Sequence, residues 1–322
     1  MFPFQHEHLE TLIALVDHGS FEAAAAELHM SASAVSQRVK AMEARCGTAL
    51  VRRTLPVSLT PAGETLLRTA RQIQRLQHDA LDELGLPDTG VRAEIPVVVN
   101  PDSFAVWFLD VMAAVHDETG ATFTVYLEAE QHSADYLHRG TVMAAVTATP
   151  RPVQGCTVST LGAMRYRAVA APAVIDRHGG VEETLTALDE IPVLVFDRAD
   201  DLQHRFVREH LGRDLTSPVH YVPASTQYTE ALLQGLGWGL LTDPFCQHEL
   251  DRGTLIELAP GVELTVPLYW QRWRIDSPLM DVVTRTVERT ASHVLHPTPH
   301  TSHQPPATSL TPHASTSASP TS

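Results

Sequence analysis

Apolar residues recur at helical spacing over the first eighty positions, whereas from position 94 onward they come in short runs. The first predicted helix has one apolar face, formed by Leu9, Leu12, Ile13 and Val16. Ser20 and Ser31 stand at N-cap positions and predict helices over 21–28 and 32–45. Two helices joined by a tight turn form a helix-turn-helix arrangement.

A short polar segment and a longer helix follow. Leu50-Val51 and Ser58-Leu59 predict the two strands of a small wing, with Arg52 and Arg53 at its tip. Thr60 is the predicted N-cap of the next helix, whose apolar residues repeat at intervals of about seven. This repeat predicts a coiled-coil dimerisation seam composed of Leu66, Ile73, Leu76 and Ala80.

Charge separates this N-terminal part from the rest of the chain. The whole sequence is acidic, with a formal net charge of −15. The segment between Ser31 and Arg75, however, contains eight basic residues and only two acidic ones. A local basic segment over a helix-turn-helix is typical of phosphate binding, and the first residues of the second helix read base edges in the major groove. The predicted DNA contacts are Ser20, Ala32, Ser33, Ser36, Gln37, Arg38, Lys40, Arg52, Arg53 and Thr60.

Short β-branched runs that alternate with helical stretches indicate α/β layers in the C-terminal part, with largely parallel strands. The predicted strands are Ile95–Val99, Thr122–Leu127, Val142–Val146, Arg167–Ala170 and Val193–Phe196. The predicted helices include Phe104–Glu118, Ala134–Arg139 and Thr229–Gly235. The fold class is therefore α/β with an all-α N-terminal part.

Composition divides the chain into four segments. Residues 1–60 are predicted to form a winged helix-turn-helix, and 61–87 a linker helix and hinge that ends in a Gly/Pro/Asp cluster. Residues 88–295 are predicted to form an effector-binding domain. Residues 296–322 are rich in Pro, Thr, Ser and His and are expected to be disordered.

The segment FEAAAAELHMSASAVSQRVKAMEARCGTALVRRTLPVSLTPAGETLL resembles the head of the LysR-type transcriptional regulators. Later segments, among them VNPDSFAVWF, YLEAE, GLGWGLL and LYWQRWR, resemble the LysG/ArgP branch of that family. The resemblance covers about residues 4–290. It implies a two-lobed effector domain like that of periplasmic binding proteins, and control of basic amino-acid export in response to L-lysine, L-arginine or L-histidine. The seam on the linker helix predicts a homodimer, and we expect the effector domains to pair two such dimers into a dimer of dimers.

Polar loops at strand ends agree with such a sensor, because open α/β sheets bind ligands at the carboxyl ends of their strands. The predicted effector-binding residues are Asn100, Asp102, Ser103, Trp107, Glu128, Glu130, Thr147, Asp197, Ser225, Thr226 and Trp270. Trp270 is expected to close the cleft. Asp102, Glu128 and Glu130 are the candidate partners for a cationic side chain, since a desolvated charge requires an opposite one.

These observations predict a transcriptional regulator that senses a basic amino acid and activates an exporter gene, with promoter DNA and RNA polymerase as partners. The alternatives are a protein of the same family that mainly inhibits replication initiation, or one that responds to an unrelated small effector. No G-x-S-x-G, GxxxxGK[ST] or HExxH motif is present, so we expect neither an enzyme nor a cofactor. The three cysteines match no zinc spacing, and neither a secretion signal nor a membrane-spanning segment is recognised, so a cytoplasmic location is expected.

Overall fold

The computed structural model describes residues 4–85, 93–129 and 132–298. It contains an N-terminal helical head with a small wing, a long linker helix, and a larger α/β part. Along these described ranges, no helix is both long and apolar enough to span a membrane.

The head has the predicted helix-turn-helix and wing. Its elements are α1 (His6–His18), α2 (Phe21–Glu27), α3 (Ala32–Cys46), β1 (Val51–Arg52) and β2 (Ser58–Leu59). The hydroxyl oxygen of Ser20 accepts a hydrogen bond from the N–H of Ala23, and that of Ser31 accepts one from the N–H of Ala34, so both serines are N-caps. The fully buried side chains that hold the helices together include Leu12, Leu15, Val35, Val39 and Met42.

The linker helix α4 (Pro61–Glu83) begins at the N-cap Thr60, as expected. Leu66, placed by the sequence in a dimer seam, is instead buried in the core of the head, and Ile73 packs partly against the same core. Leu76 is 42% exposed and Ala80 is exposed. A heptad count does not distinguish an apolar stripe that packs within a chain from one between chains, which explains the error at Leu66.

Nine strands of the described residues form one sheet in the larger part. They are β3 (Glu94–Val99), β4 (Thr122–Leu127), β5 (Ala144–Thr147), β6 (Cys156–Ala170), β7 (Val193–Val195), β8 (Val219–Tyr221), β9 (Trp238–Thr242), β10 (Ile256–Glu257) and β11 (Leu264–Trp273). Their order is β4-β3-β5-β11-β6-β9-β7-β8, with β10 paired to β6. Parallel strands therefore lie in two lobes, β4-β3-β5 in the first and β9-β7-β8 in the second.

Helices cover both lobes. They are α5 (Pro101–Ser103), α6 (Leu109–Thr119), α7 (Ser133–His138), α8 (Pro172–His178), α9 (Val181–Thr186), α10 (Leu202–Phe206), α11 (Ser225–Leu233), α12 (Asp243–Arg252) and α13 (Pro278–Val294). Two π-helical segments, Phe104–Phe108 and Val207–Leu211, continue α5 and α10. The predicted helix from Phe104 thus begins three residues earlier, at Pro101.

The expectation of largely parallel strands is only partly right, because two long strands connect the lobes. β6 and β11 pair antiparallel with each other, β11 also pairs antiparallel with β5, and β6 with β9. The predicted strand Arg167–Ala170 is only the end of the 15-residue strand β6. The first half of β6 is polar in sequence (CTVSTLG) and does not have the apolar pattern of a buried strand.

The linker helix contacts the first lobe through two arginines. Arg68 donates a hydrogen bond to the carbonyl of His138 at 2.8 Å. Arg71 donates to the carbonyls of Gly140 and Thr141, both at 2.7 Å, and forms an ion pair with Asp17 of α1. A Cβ on Gly140 would come within 2.7 Å of the Arg68 backbone, so glycine allows this close approach. One guanidinium thus joins the head and the first lobe.

The expected disordered segment does not begin at His296. The backbone N–H and C=O of His296 pair with those of Ala163 at 3.0 and 2.8 Å, and its imidazole lies 3.1 Å from the carboxylate of Asp243. A polar, proline-rich composition does not reveal that its first residue completes a β-bridge to β6. The remainder of the expected tail from residue 299 lies outside the described residues.

Candidate DNA-binding surface and effector cleft

The second helix of the helix-turn-helix, α3, presents polar side chains opposite its buried face. Val35, Val39 and Met42 are buried against the other helices of the head. Ser33, Gln37 and Lys40 are exposed on the other side, whereas Ala32 and Ser36 are half-buried. A hydroxyl, an amide and an ammonium on one exposed helix face can contact base edges and phosphates.

The wing is fixed against α3 through Arg53. Its guanidinium donates a hydrogen bond to the hydroxyl of Ser36 at 3.4 Å and lies 5.1 Å from the ring centroid of Phe21. Both Arg52 and Arg53 remain exposed. The wing and the recognition helix therefore present their polar groups as one continuous surface.

Three other predicted DNA contacts have a structural role within the head. Arg38 forms an ion pair with Glu7 at 3.0 Å, which directs its guanidinium toward α1. The hydroxyl of Ser20 is the cap of α2, and that of Thr60 both caps α4 and donates to the carbonyl of Ala49 at 2.7 Å. The sequence predicts the caps at Ser20 and Thr60 but does not show that capping engages their hydroxyls, or that Arg38 pairs with Glu7 of a neighbouring helix.

A cleft of about 310 Å³ lies at the carboxyl ends of the parallel strands of both lobes. Its polar lining residues are Asn100, Asp102, Glu128, Tyr166, Asp197, Asp200 and Asp201, and its apolar ones include Leu127, Phe196, Leu202 and Pro223. Asn100 follows β3, Glu128 follows β4, and Asp197 comes two residues after the end of β7. Parallel strands thus bring these distant segments together, as open α/β sheets do at their ligand sites.

The cleft is strongly acidic. Five carboxylates line it, and none of its described lining residues is Lys or Arg. Burial raises the pKa of Asp102 to about 6, with a further contribution from the nearby Asp200, although the hydroxyl of Tyr166 donates to Asp102 at 2.8 Å and opposes the shift. Burial also raises the pKa of Asp200, against the effect of hydrogen bonds from the N–H groups of Phe196 and Leu202. A cation in this cleft would relieve the repulsion between these groups.

Four predicted effector residues do not line this cleft. Ser103, Trp107, Thr147 and Trp270 are each at most 1% exposed. Trp270 does not close the cleft: it packs near Phe108 in the core, and its indole N–H donates to Thr284 at 3.2 Å. In sequence, the aromatic side chains Trp107 and Trp270 resemble those of a binding site, but here they belong to the core.

The other predicted positions have separate outcomes. Ser225 lies in a smaller chamber next to the cleft, together with Asp102. Thr226 is exposed and is not among the lining residues. Glu130 lies outside the described residues. Within the described residues, no group of three or more His, Cys, Asp or Glu side chains could hold a metal ion.

Sequence reasoning missed Tyr166, Asp200 and Asp201, which line the cleft with the predicted residues. Tyr166 comes from the long strand β6, of which only the end, Arg167–Ala170, was predicted. Asp200 belongs to the acidic segment that follows β7, where the prediction stopped at Asp197. Extending the search by one helical turn beyond the strand end would have found Asp200, because side chains of that turn also face the cleft.

Comparison with known families gives the class of protein. The family described as "Bacterial regulatory helix-turn-helix protein, lysR family" matches residues 6–64, and the "LysR substrate binding domain" matches residues 89–292. A relative from Mycobacterium tuberculosis (strain H37Rv), the HTH-type transcriptional regulator LysG, is 41% identical over 285 residues, which are 88% of this chain and 92% of that protein. The lysine export transcriptional regulatory protein LysG of Corynebacterium glutamicum is 39% identical over 292 residues, 90% of this chain and 98% of its own.

Solved structures agree with this assignment. ArgP from Mycobacterium tuberculosis matches with a TM-score of 0.80 at 40% identity, over 90% of this chain and 98% of that one. Full-length LysG from Corynebacterium glutamicum with bound effector Arg matches with a TM-score of 0.73 at 37% identity, over 91% and 100%. The family matches and the named relatives identify a DNA-binding transcriptional regulator, a non-enzymatic class. The chain belongs to the LysR family, and within it to the LysG/ArgP type.

Proposed function

We propose that this regulator binds a basic amino acid, L-lysine, L-arginine or L-histidine, and in response activates an amino-acid exporter gene. The observation that carries the proposal is the cleft with five carboxylates and no Lys or Arg among its described lining residues. An anionic or apolar effector would leave these charges uncompensated in a partly desolvated site, whereas a cationic side chain would pair with them.

Relatives support the choice of effector and target. The structure of the Corynebacterium glutamicum relative contains arginine as effector, and the name of that relative refers to lysine export. The apolar residues between the carboxylates, among them Leu127, Phe196 and Leu202, suit the methylene chain of lysine or arginine. No cofactor is part of the proposal.

For DNA, we infer that two heads bind paired half-sites of a promoter. The exposed side chains Ser33, Gln37 and Lys40 of α3 and the arginines of the wing form the proposed contact surface. Leu76 of α4 is 42% exposed and Leu84, the residue directly after this helix, is 70% exposed. Both support a homodimer through the linker helix, and effector domains would pair such dimers into a tetramer. We also propose RNA polymerase as a partner and a cytoplasmic location, because the regulator is proposed to act at a promoter.

The effector signal has a physical route to the head. Glu128 at the cleft accepts a hydrogen bond from Tyr136 of α7 at 3.4 Å, and the residues directly after α7 accept hydrogen bonds from Arg71 of α4. A ligand that binds better to a closed cleft can shift α7 and, through Arg71, the linker helix. Such coupling requires a different affinity of the ligand for the two arrangements.

Isothermal titration of the full chain tests the proposal. Lysine, arginine and histidine are the expected ligands, and glutamate and leucine are the controls. Binding of a basic amino acid alone supports the sensor. If none of the five binds, the effector is an unrelated molecule or the protein acts on DNA without one, as an inhibitor of replication initiation would. A reporter fused to the promoter of an amino-acid exporter gene then distinguishes activation from repression in cells given the amino acid.

A further inference from the structure

A second, smaller chamber opens beside the effector cleft. It has a volume of about 40 Å³ and shares Asp102, Tyr166, Phe196, Asp200 and Leu202 with the cleft. Its remaining polar lining residues are Gln203, Ser225, Tyr228 and Thr242. We call it the inner chamber. A space of this size holds a few non-hydrogen atoms, on the order of three water molecules.

Two polar atoms of the inner chamber are buried without a partner. Gln203 and Thr242 are each 1% exposed, and the Oε1 of Gln203 and the Oγ1 of Thr242 make no hydrogen bond within the described residues. Buried polar groups are otherwise almost always paired, so these two atoms require a ligand or water. The hydroxyl of Tyr228, by contrast, is already engaged, because it donates to the carbonyl of Leu194 at 2.8 Å and accepts the N–H of Leu240 at 3.3 Å.

The chamber offers groups for both signs of charge. Asp102 and Asp200 present carboxylates, and the Oε1 of Gln203 is a further acceptor. The hydroxyls of Ser225 and Thr242 are donors, and Ser225 is the first residue of the nine-residue helix α11, whose N–H groups favour an anion at its N-terminus. A single cation would bind only to the acceptors, whereas an ammonium and a carboxylate on one carbon would bind to the acceptors and the donors together.

The other end of the cleft differs. There the carboxylate of Glu128 accepts hydrogen bonds from the N–H of Ala129 at 3.0 Å and from the hydroxyl of Tyr136 at 3.4 Å. These contacts fix an anion beside the apolar side chain of Leu127. That end suits a single cation at the end of an alkyl chain.

We propose that the inner chamber binds the α-ammonium and α-carboxylate of the effector, and that the cationic side chain extends along the cleft to Glu128. This inference rests on the proposed basic amino-acid effector and adds its orientation. It makes Asp102 the partner of the α-ammonium and Thr242 a partner of the α-carboxylate. The site then favours two cationic groups separated by an alkyl chain, so an analogue with only one of them should bind more weakly than lysine and compete only at higher concentration.

Methylated lysines test the orientation on the wild-type full chain. Both derivatives keep their charges, but the inner chamber has little space for an added methyl group. Nα-methyl-lysine is expected to bind at least roughly tenfold more weakly than lysine, and Nε-methyl-lysine within about threefold of it. The opposite ranking overturns the orientation. If lysine, arginine and histidine themselves fail to bind, the proposed function fails, which is a separate and recognisable outcome.

Matched substitutions give a second test. Asp102→Asn and Glu128→Gln each remove one charge without changing the shape, and thermal unfolding checks that both variants fold. Loss of a charged hydrogen bond should weaken lysine binding roughly ten- to hundredfold in each. L-norleucine lacks the side-chain ammonium, so its affinity as a competitor of lysine should be the same for wild type and Glu128→Gln. 6-aminohexanoate lacks the α-ammonium, so its affinity should be the same for wild type and Asp102→Asn. The proposal is overturned if norleucine loses affinity only for Glu128→Gln and 6-aminohexanoate only for Asp102→Asn. It is also overturned if both analogues lose affinity for both variants.

Discussion

The DNA-binding head and the effector cleft use charge in opposite ways. The proposed DNA contacts Ser33, Gln37 and Lys40 are exposed on one helix and are positioned by a local cap. The carboxylates of the cleft come from segments up to a hundred positions apart, and burial raises the pKa of both Asp102 and Asp200. The head therefore presents solvated groups to a polyanion, whereas the cleft holds unfavourable charge that a cation would relieve.

This difference indicates where each function is vulnerable. Contacts of exposed side chains with phosphate are screened by salt and contribute separately. Charges in the cleft interact with one another at lower dielectric, so a change at one carboxylate alters its neighbours. The following predictions test that distinction, beginning with the largest effect.

Shortening a buried side chain in the core of the head should impair DNA binding, and shortening one in the core of the larger part should impair effector binding, with little effect on the other activity. Leu12→Ala in the head and Leu268→Ala in β11 each remove a fully buried side chain, which costs about 2–5 kcal/mol. We expect Leu12→Ala to abolish binding to a DNA fragment selected by the wild-type protein while arginine still binds in calorimetry, and Leu268→Ala to have the larger effect on arginine. Equal losses of both activities in both variants would show that the two regions do not fold independently.

Asp102→Asn should stabilise the protein above its titration range. The pKa of Asp102 is raised from its usual 3.8 to about 6, so the folded state keeps a proton that the unfolded state loses. Stability of the wild type therefore falls as pH rises from about 4 to 6, by at most about 3 kcal/mol at roughly 1.4 kcal/mol per pKa unit. Asparagine has no titratable proton, so Asp102→Asn does not lose stability in this way as pH rises.

Thermal unfolding at pH 4, 5, 6 and 7 measures this effect. The stability of Asp102→Asn relative to wild type should increase as pH rises from about 4 to 6 and should stay constant at higher pH. Asp110→Asn, at an exposed position of α6, is the matched control and should leave the pH profile unchanged. A difference between Asp102→Asn and wild type that does not vary with pH would refute the buried, repelled carboxylate.

The same contrast explains how far the sequence could predict the molecule. In the head, caps such as Ser20 and Ser31 and the periodic apolar residues are local, so the helices and the wing followed from the pattern. The cleft depends on which strand ends meet, and this is a property of topology. Asp102 and Glu128 were found because they follow recognised strands, whereas Tyr166 was missed because it lies within β6, one residue before the predicted strand Arg167–Ala170, and not in a loop at a strand end.

Burial was the other quantity that the sequence did not supply. Trp107 follows the cleft residue Asp102 by five positions and Trp270 lies on a strand between the lobes, but both side chains are buried in the core. Leu66 fits a heptad but packs within its own chain. Residue type and position along an element do not specify which side is covered by a helix such as α13, and only the packed structure decides it.

At the DNA surface, base contacts and phosphate contacts should separate. Gln37→Ala is expected to weaken binding to a selected sequence by about 1–3 kcal/mol and to leave binding to random DNA unchanged. Lys40→Ala should weaken binding to the selected sequence and to random DNA alike. It should also reduce the slope of the logarithm of the binding constant against the logarithm of the salt concentration by about one. Fluorescence anisotropy from 50 to 300 mM salt measures both effects, and identical behaviour of the two variants would contradict the assignment of Gln37 to a base.

The smallest expected effect concerns Ser31, where stability and DNA binding meet at one residue. Its hydroxyl oxygen accepts the N–H of Ala34 at 3.2 Å and caps α3, so Ser31→Ala should cost about 1 kcal/mol of stability. Ser31→Asp keeps the cap and should retain stability, but its charge would lie beside the phosphates that the N-terminus of α3 is proposed to approach. We therefore expect the aspartate variant to unfold like wild type and to bind DNA more weakly than the alanine variant. If the aspartate variant instead binds DNA as well as wild type, the N-terminus of α3 does not face the phosphates, and the surface around Gln37 would have to be reassigned.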